Sequence, residues 1–507
     1  IGVYRSSDIG FTLDLDCQSA TSTAQGFRTS TDQTKFLLNN IGGVFTLKLP
    51  SSVMPNFNFG FTYNKSVSFN RKYSGRIPQL NTSMSNYIAD LTNNDGFGHP
   101  FTEADMTATS SYDPWFPNDG GLAAPWLSIL GYYSFLTTPV YKPSDTNREN
   151  PDWLGQWGDQ TSGSGYFGVE EFGAIDSYNI AFGGNISNVV YWGMDFDIIN
   201  FNYNKTTTWG ESLNNAYVEM GDQGIIPTTS NWSLNNLYSC SGTGFNYKLG
   251  VIIKPIQELR LGFSFHTPTW YNLSQTYQAY TRYRYGGTQD WSSKYTADGN
   301  TATNDMNFRS PWKFIASAAG VIGGRFIISF DYEWAQTSRQ KFSAPIYDNY
   351  GWGNDWDWDY PYFAQKNLNY IDDNSGYSYT NSDIRTYCQN TNTIRLGAEF
   401  RVTPKFSVRA GYSHVSSPIK AEAADGREII YTPDVNPSYR FDRDTNYLTC
   451  GLGYKGSTFY TDLAYVYKNM KSTFHAFTPD PVHPGNSPMA DLNFNQSQIV
   501  LSMGVRF

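Results

Sequence analysis

The sequence predicts an all-β fold: a 14-stranded antiparallel transmembrane β-barrel with long extracellular loops. Three observations carry that prediction. Side chains alternate between apolar and polar along many segments, the segments are even in number, and their connections alternate between short and long. Composition agrees. Of 507 residues, 17% are aromatic and only 16% are charged, against about 25% charged in soluble domains. Mean hydropathy is −0.48, and no run of about 18 apolar residues occurs, so a transmembrane helix is excluded. The aromatics suit the girdles that flank the apolar band of a barrel.

The alternating segments cover roughly 8–20, 35–49, 56–70, 172–187, 189–204, 240–254, 258–272, 311–322, 325–338, 392–403, 405–418, 446–455, 458–472 and 495–507. Short turns such as "NISNVV", "VIGGRF" and "YKGSTF" join alternate pairs. Long connections near 76–165, 205–238, 273–309, 339–391, 419–445 and 473–493 join the others. Short turns face the periplasm and long loops the exterior, so both termini fall on the periplasmic side. Residues 1–507 read as one barrel domain, with extracellular insertions at about 76–165 and 339–391.

Charge sets the register. In 392–403, Ile394, Leu396, Ala398, Phe400 and Val402 share one face, and Arg395, Glu399 and Arg401 the other. A one-residue slip would turn both arginines toward lipid, at about 2–4 kcal/mol each near the midplane. In 325–338, Phe326, Ile328, Phe330, Tyr332 and Trp334 face outward, and Asp331 and Glu333 inward. The closing segment "QIVLSMGVRF" puts Ile499, Leu501, Met503, Val505 and Phe507 on the lipid face. A soluble β-sandwich alternates too, but it does not need fourteen strands in strict short–long order. The terminal aromatic resembles the signal that outer-membrane barrels present to the barrel assembly machinery.

The net charge of −9 and the lack of a basic stripe exclude a nucleic-acid partner. Cys17, Cys240, Cys388 and Cys450 have no metal-ligand spacing. Cys17 and Cys450 fall at lipid-facing positions. A disulfide between Cys240 and Cys388, both near the outer loops, stays open. The five histidines, His99, His266, His414, His475 and His483, fall in no metal or nucleophile motif. Ser413 and His414 are adjacent in a strand and point to opposite faces, so they do not pair as in a surface lipase. The expectation is a protein that is not an enzyme and carries no cofactor and no metal.

Four stretches resemble the FadL/TodX family of outer-membrane transport proteins: "IGVYRSSDIGFTLDL" at the start, "APWLSILGYYSF" at 124–135, "LRLGFSFHTPTWYNL" at 259–273 and "RLGAEFRVTPKFSVRAGYSH" at 395–414. The resemblance spans the chain. It implies 14 strands, a Gram-negative outer-membrane location, and passive uptake of hydrophobic small molecules such as long-chain fatty acids. It also implies an N-terminal plug inside the barrel. This sequence begins at the point where that segment would end, so the plug is expected to be absent or removed. A general diffusion porin and a non-transporting scaffold of a secretion or surface complex, with its own protein partner, are the competing readings.

Candidate sites follow from polarity and from breaks in the pattern. Trp126, Leu127, Ile129, Leu130 and Phe135 form an apolar, helix-like stretch in an extracellular insertion. Exposed apolar patches often mark binding, so these residues form either an entrance groove for a lipid-like ligand or a cap packed against other loops. Inward cations, among them Arg260, Arg395 and Arg409, either pair with a ligand carboxylate or join inward acids in a lumen network. His266 faces inward beside Pro268. Proline lacks a ladder donor, so Pro268 either opens the wall sideways or only ends the embedded part of its strand. In 189–204 the aromatic face changes parity around Ile199, which implies a β-bulge and a second candidate for a lateral gap. The segment "NYGWGNDWDWDYPYF", with Trp352, Asp355, Trp356, Asp357, Trp358 and Asp359, suits loop packing better than a sugar or Ca²⁺ site.

Overall fold

The computed structural model describes every residue except 95–97, 118–122, 289, 346–376, 425–434 and 479–486. Fourteen antiparallel strands form one closed wall. They are β1 (Asp8–Ala24), β2 (Phe27–Lys48), β3 (Asn56–Ser68, resuming as Arg71–Ile77), β4 (Ser162–Ile186), β5 (Val190–Glu219) and β6 (Ile225–Ile256). Then come β7 (Leu259–His266, resuming as Trp270–Tyr285), β8 (Ala302–Arg309, resuming as Lys313–Ile322) and β9 (Phe326–Ala335, resuming as Lys341–Ser343). The last five are β10 (Thr391–Arg401), β11 (Phe406–Val415), β12 (Tyr439–Lys455), β13 (Phe459–His475) and β14 (Met489–Arg506). β14 pairs with β1, with Gly504 opposite Gly10, and this closes the barrel.

The fourteen predicted segments correspond to these strands, and the register expected for 325–338 and 392–403 holds. Ile394, Leu396 and Phe400 are exposed on the outer face, whereas Arg395 reaches the inward Glu333. The acidic tract 349–363 lies outside the described residues. The four thiols are unbonded, Cys17 and Cys450 on the exposed outer face and Cys240 buried, so Cys240 and Cys388 do not form a disulfide.

The strands run further outward than predicted. The stretch 205–238 is not a long loop. β5 continues to Glu219 and β6 returns from Ile225, pairing for most of that length. β1 and β2 likewise meet at a two-residue turn, where Gln25 and Gly26 have φ of 50° and 83°. Two successive positive φ values make the tight hairpin turn whose twist matches the strands. The physical reason is an inversion of polarity. Beyond the lipid band the outer face meets water and the inner face meets protein. On β5 the outward residues change from Phe196 and Ile198, both exposed, to Asn200, Asn202 and Asn204. The inward residues change from Asp195 and Asp197 to Ile199, Phe201, Tyr203 and Trp209.

That same inversion removes the bulge expected at Ile199. β5 pairs with β4 and with β6 without a register shift from Val190 to Leu213, with Ile199 opposite Ser177 and Gly244. The aromatic residues change face relative to lipid because the surroundings change, not because the strand slips.

The insertion 76–165 folds into the outer mouth. Helix α1 (Met84–Thr92) and helix α2 (Trp126–Tyr133) pack with a small hairpin, Thr137–Val140 with Asp152–Gly155. Ser83 caps α1 by accepting from Ser85 N at 3.0 Å. Met84, Ile88, Ile129 and Leu130 are fully buried, and Trp153 nearly so. The core they form includes inward residues of the wall, among them Trp209, Leu213, Trp232, Leu234 and Tyr277.

Candidate functional site

Below the mouth, inward side chains form a polar belt. Lys248 of β6 pairs with Asp197 and lies 3.5 Å from Asp195, both on β5. Lys313 and Arg395 converge on Glu333, at 3.8 and 2.7 Å. Arg409 holds Glu399 at 2.8 Å and also Asp462. Adjacent strands supply opposite charges because the inward positions of neighbours stand side by side. Of the predicted cations, Arg395 and Arg409 are therefore taken up by wall carboxylates. Arg260 has no ion pair among the described residues and lines a lumen cavity of about 500 Å³ with His266, Asp195 and the chain's first residues. His266 Nε2 lies 3.0 Å from Ser264 Oγ. Ile1 packs on Gly60, Gly183 and Gly193, where any Cβ would crowd it. Asn58 Nδ2 donates to the carbonyls of Ile1 and Tyr4 at 2.9 and 3.1 Å.

Higher up, a charged lattice crosses the interior. Arg71 of β3 donates to Glu171 of β4 at 2.8 Å and reaches Asp442 of β12 at 3.2 Å. Arg440 of β12 lies 2.8 Å from Asp442 and 3.3 Å from Glu171. β12 is no neighbour of β3 or β4 in the wall, so these contacts span the lumen. Ser472 donates to Asp442 at 2.7 Å. The Arg440 guanidinium stands 5.2 Å over the Tyr73 ring and 5.4 Å over Phe494. Above lies the apolar core, where Phe167 and Phe474 stack at 4.0 Å from opposite walls. Sequence reasoning missed this lattice. Glu171, Arg440 and Asp442 sit just beyond the spans 172–187 and 446–455. Extending the alternation outward marks Glu171 as inward, but Arg440 and Asp442 share the parity of the outward Leu448 and Leu452 and turn inward only because β12 shifts register against β13 between Asp442 and Thr445.

Among the described residues the backbone ladder of the wall has a seam between β2 and β3, crossed by side chains: Thr31 Oγ1 lies 3.1 Å from Ser74 Oγ, and Lys35 donates to Asn70. The β2–β3 ladder ends at Asn40 opposite Asn64, although β2 continues to Phe27. Above Asn64, β3 shifts register against β4 at Lys65–Val67 and breaks before Arg71. Its resumed part turns inward, so that Ser74 O accepts from Ser22 Oγ at 2.6 Å and Tyr73 meets Phe494 at 5.5 Å. Phe69 N donates to Gly173 O at 3.0 Å across the break. Gly173 has φ 127°, and a Cβ there would lie 2.2 Å from Asn202 O, so no other residue fits. Behind the seam, Phe69 stands 5.8 Å from Phe201 and 5.0 Å from Tyr203.

The other predicted positions are placed as follows. Pro268 sits in the interruption of β7, but the wall is closed there. Thr267 N donates to Tyr247 O at 3.0 Å, and Ser310 N to Thr269 O at 3.0 Å. Trp126, Leu127, Ile129 and Leu130 are buried in the core of the insertion. Trp126 Nε1 donates to Trp115 O at 3.0 Å, and its ring meets Tyr277 of β7 at 5.7 Å. Phe135 is 42% exposed. The apolar stretch of α2 and the lumen cations are thus far apart, separated by the charged lattice.

The profile of the family described as outer membrane protein transport protein (OMPP1/FadL/TodX) matches residues 199–505. Among solved structures, a Pseudomonas aeruginosa FadL homologue aligns over 99% of this chain and 91% of its own at 11% identity, with a TM-score of 0.46. The P. putida toluene transporter TodX aligns over 100% and 91% at 11% identity, with a TM-score of 0.43. The monoaromatic hydrocarbon channel CymD aligns over 99% and 88% at 10% identity, with a TM-score of 0.40. No curated protein matches the chain.

Proposed function

This chain belongs to the OMPP1/FadL/TodX family of outer-membrane transport proteins, and from that premise we propose that it passes apolar small molecules, such as long-chain fatty acids, passively and sideways through its wall. The carrying observation is the pairing of an axial obstruction with a lateral seam. The lattice of Arg71, Glu171, Arg440 and Asp442 crosses the lumen, while the β2–β3 ladder stops at Asn40 and Asn64.

Charged groups repel an apolar solute by the cost of desolvating them. A solute entering past the insertion therefore finds no favourable path down the axis. The aromatic surface of Phe69, Phe201 and Tyr203 stands directly behind the seam. Apolar burial there contributes about 25 cal/mol per Å², and the lipid beyond the seam offers a similar environment. On this route Arg260, His266, Arg395 and Arg409 do not touch the ligand. All four keep the lower lumen polar, and Arg395 and Arg409 bind wall strands together. The protein catalyses no reaction.

The test is a crosslink. Thr31→Cys with Ser74→Cys, whose hydroxyls lie 3.1 Å apart across the seam, in a background whose native cysteines are replaced by alanine, ties β2 to β3 above the last ladder pair. With the crosslink verified by mass spectrometry, uptake of labelled oleate by whole cells should fall at least ten-fold and recover on reduction. Undiminished uptake by the crosslinked protein would remove the lateral route.

A further inference from the structure

The outer face of the wall carries a groove of about 820 Å³ between β5 and β9. A single row of cross-strand neighbours crosses it: Ile198, Phe245, Trp270, Arg309 and Lys341, each directly opposite the next. The apolar end is low. Ile198 and Phe245 are 58% and 49% exposed on the lipid face, and the Trp270 ring meets that of Phe245 at 5.2 Å, tilted by 31°. The cationic end is high, because strands tilt and the row climbs toward the exterior. Ile198 lies near the periplasmic start of β5, whereas Lys341 lies past the interruption of β9. The next row outward is neutral and polar, with Thr243, Asn272, Asn307 and Ser343 lining the same groove.

Arg309 and Lys341 form a directly opposed pair of like charges, an arrangement that destabilises a sheet unless something compensates it. Neither side chain makes an ion pair with a carboxylate among the described residues. Arg309 Nη2 makes only a long 3.4 Å contact, to the carbonyl of Arg339, itself an exposed cation on this rim. An anion placed between Arg309 and Lys341 would relieve the repulsion. The row then reads as a template: acyl chains against Ile198, Phe245 and Trp270, a phosphate at Arg309 and Lys341, and sugar hydroxyls facing the amides and hydroxyls of the outer row.

We propose that this groove is a docking site for a phosphorylated acyl-glycolipid of the outer leaflet, held by charge-assisted hydrogen bonds from Arg309 and Lys341. The site is on the outside of the barrel, away from the β2–β3 seam, and does not depend on the transport reading.

Native mass spectrometry of the full chain in mild detergent tests it, with hexa-acylated bisphosphoryl lipid A as the probe. The wild-type protein should retain the probe at least ten-fold more than Arg309→Gln with Lys341→Gln. Heat-modifiable gel mobility verifies that the variant is folded. On the wild type alone, retention should fall several-fold in 0.5 M salt, and dephosphorylated lipid A should bind at least ten-fold less. Equal retention by the variant, or by the dephosphorylated probe, would overturn the proposal. Preference for oleate over lipid A would also overturn it, since the groove would then be a landing site for a carboxylate solute.

Discussion

Glu211 shows how one residue ties the insertion to the wall. It points inward from the outer part of β5, beyond the span 189–204, and is buried. Its carboxyl accepts from Met84 N at 2.8 Å, Ser83 Oγ at 2.5 Å and Trp209 Nε1 at 2.9 Å. A carboxylate at the first turn of α1 suits the positive end of the helix dipole. Burial nonetheless dominates and pushes its pKa from 4.5 up to about 7, the three donors offsetting part of the rise. The folded mouth thus binds this proton more tightly than the unfolded chain does. Its stability is greatest below the unfolded pKa of 4.5 and falls as pH climbs toward 7, by about 1.4 kcal/mol per unit across that window. Above 7 this group adds no further change. Limited trypsinolysis of the insertion should accelerate between pH 5 and 7.5 in the wild type, and Glu211→Gln should flatten that dependence. An unchanged pH profile in the variant would assign the effect elsewhere. The sequence marks Glu211 as inward by parity, but nothing local reveals the helix that docks on it. That contact joins positions far apart in the chain.

At the scale of elements, what could be read from the sequence depended on the solvent outside. Within the lipid band an apolar outward face and a charged inward face identify each strand, and Arg395, Glu399 and Asp462 set the register. Beyond the band the rule inverts, so β4, β5, β6 and β12 read shorter than they are. Ile199 and Phe201 were legible as apolar, but their face was not, because alternation alone does not say which side is wet. The insertion was legible as apolar at Trp126–Leu130, while its packing partners on β5 to β7 were not. Trp153 is a test of that packing. It is buried at 1% exposure and donates to Phe101 O at 2.7 Å. Trp153→Ala leaves a cavity and an unpartnered carbonyl, at about 3–5 kcal/mol to the mouth. The wall strands make none of their ladders through Trp153. Heat-modifiable mobility should therefore persist while trypsin cuts within 76–165 at least ten-fold faster. Loss of the barrel along with the insertion would show that the two fold as one unit.

For the whole molecule, the proposed lateral route raises the question of what blocks the lumen along its axis. The lattice supplies an answer that substitution can separate from simple stability. Arg71 and Glu171 are neighbours on adjacent strands and can pair without β12. Arg440 and Asp442 carry the tie across the interior. Replacing that half by apolar side chains of similar size, Arg440→Met with Asp442→Leu, leaves no buried charge unpaired. Such exchanges are close to neutral for stability. Arg440→Ala alone leaves Asp442 and Glu171 short of a partner inside the protein, at about 3–5 kcal/mol. In planar bilayers the double variant should therefore fold like the wild type yet conduct several-fold more, because the ion pairs that join β12 to Arg71 and Glu171 are gone. The single variant should be recovered in lower yield. Equal conductance of wild type and double variant would place the axial seal in the apolar core above. The lattice would then be a brace for the inward turn of β3, and the seam would owe its shape to Arg71 alone.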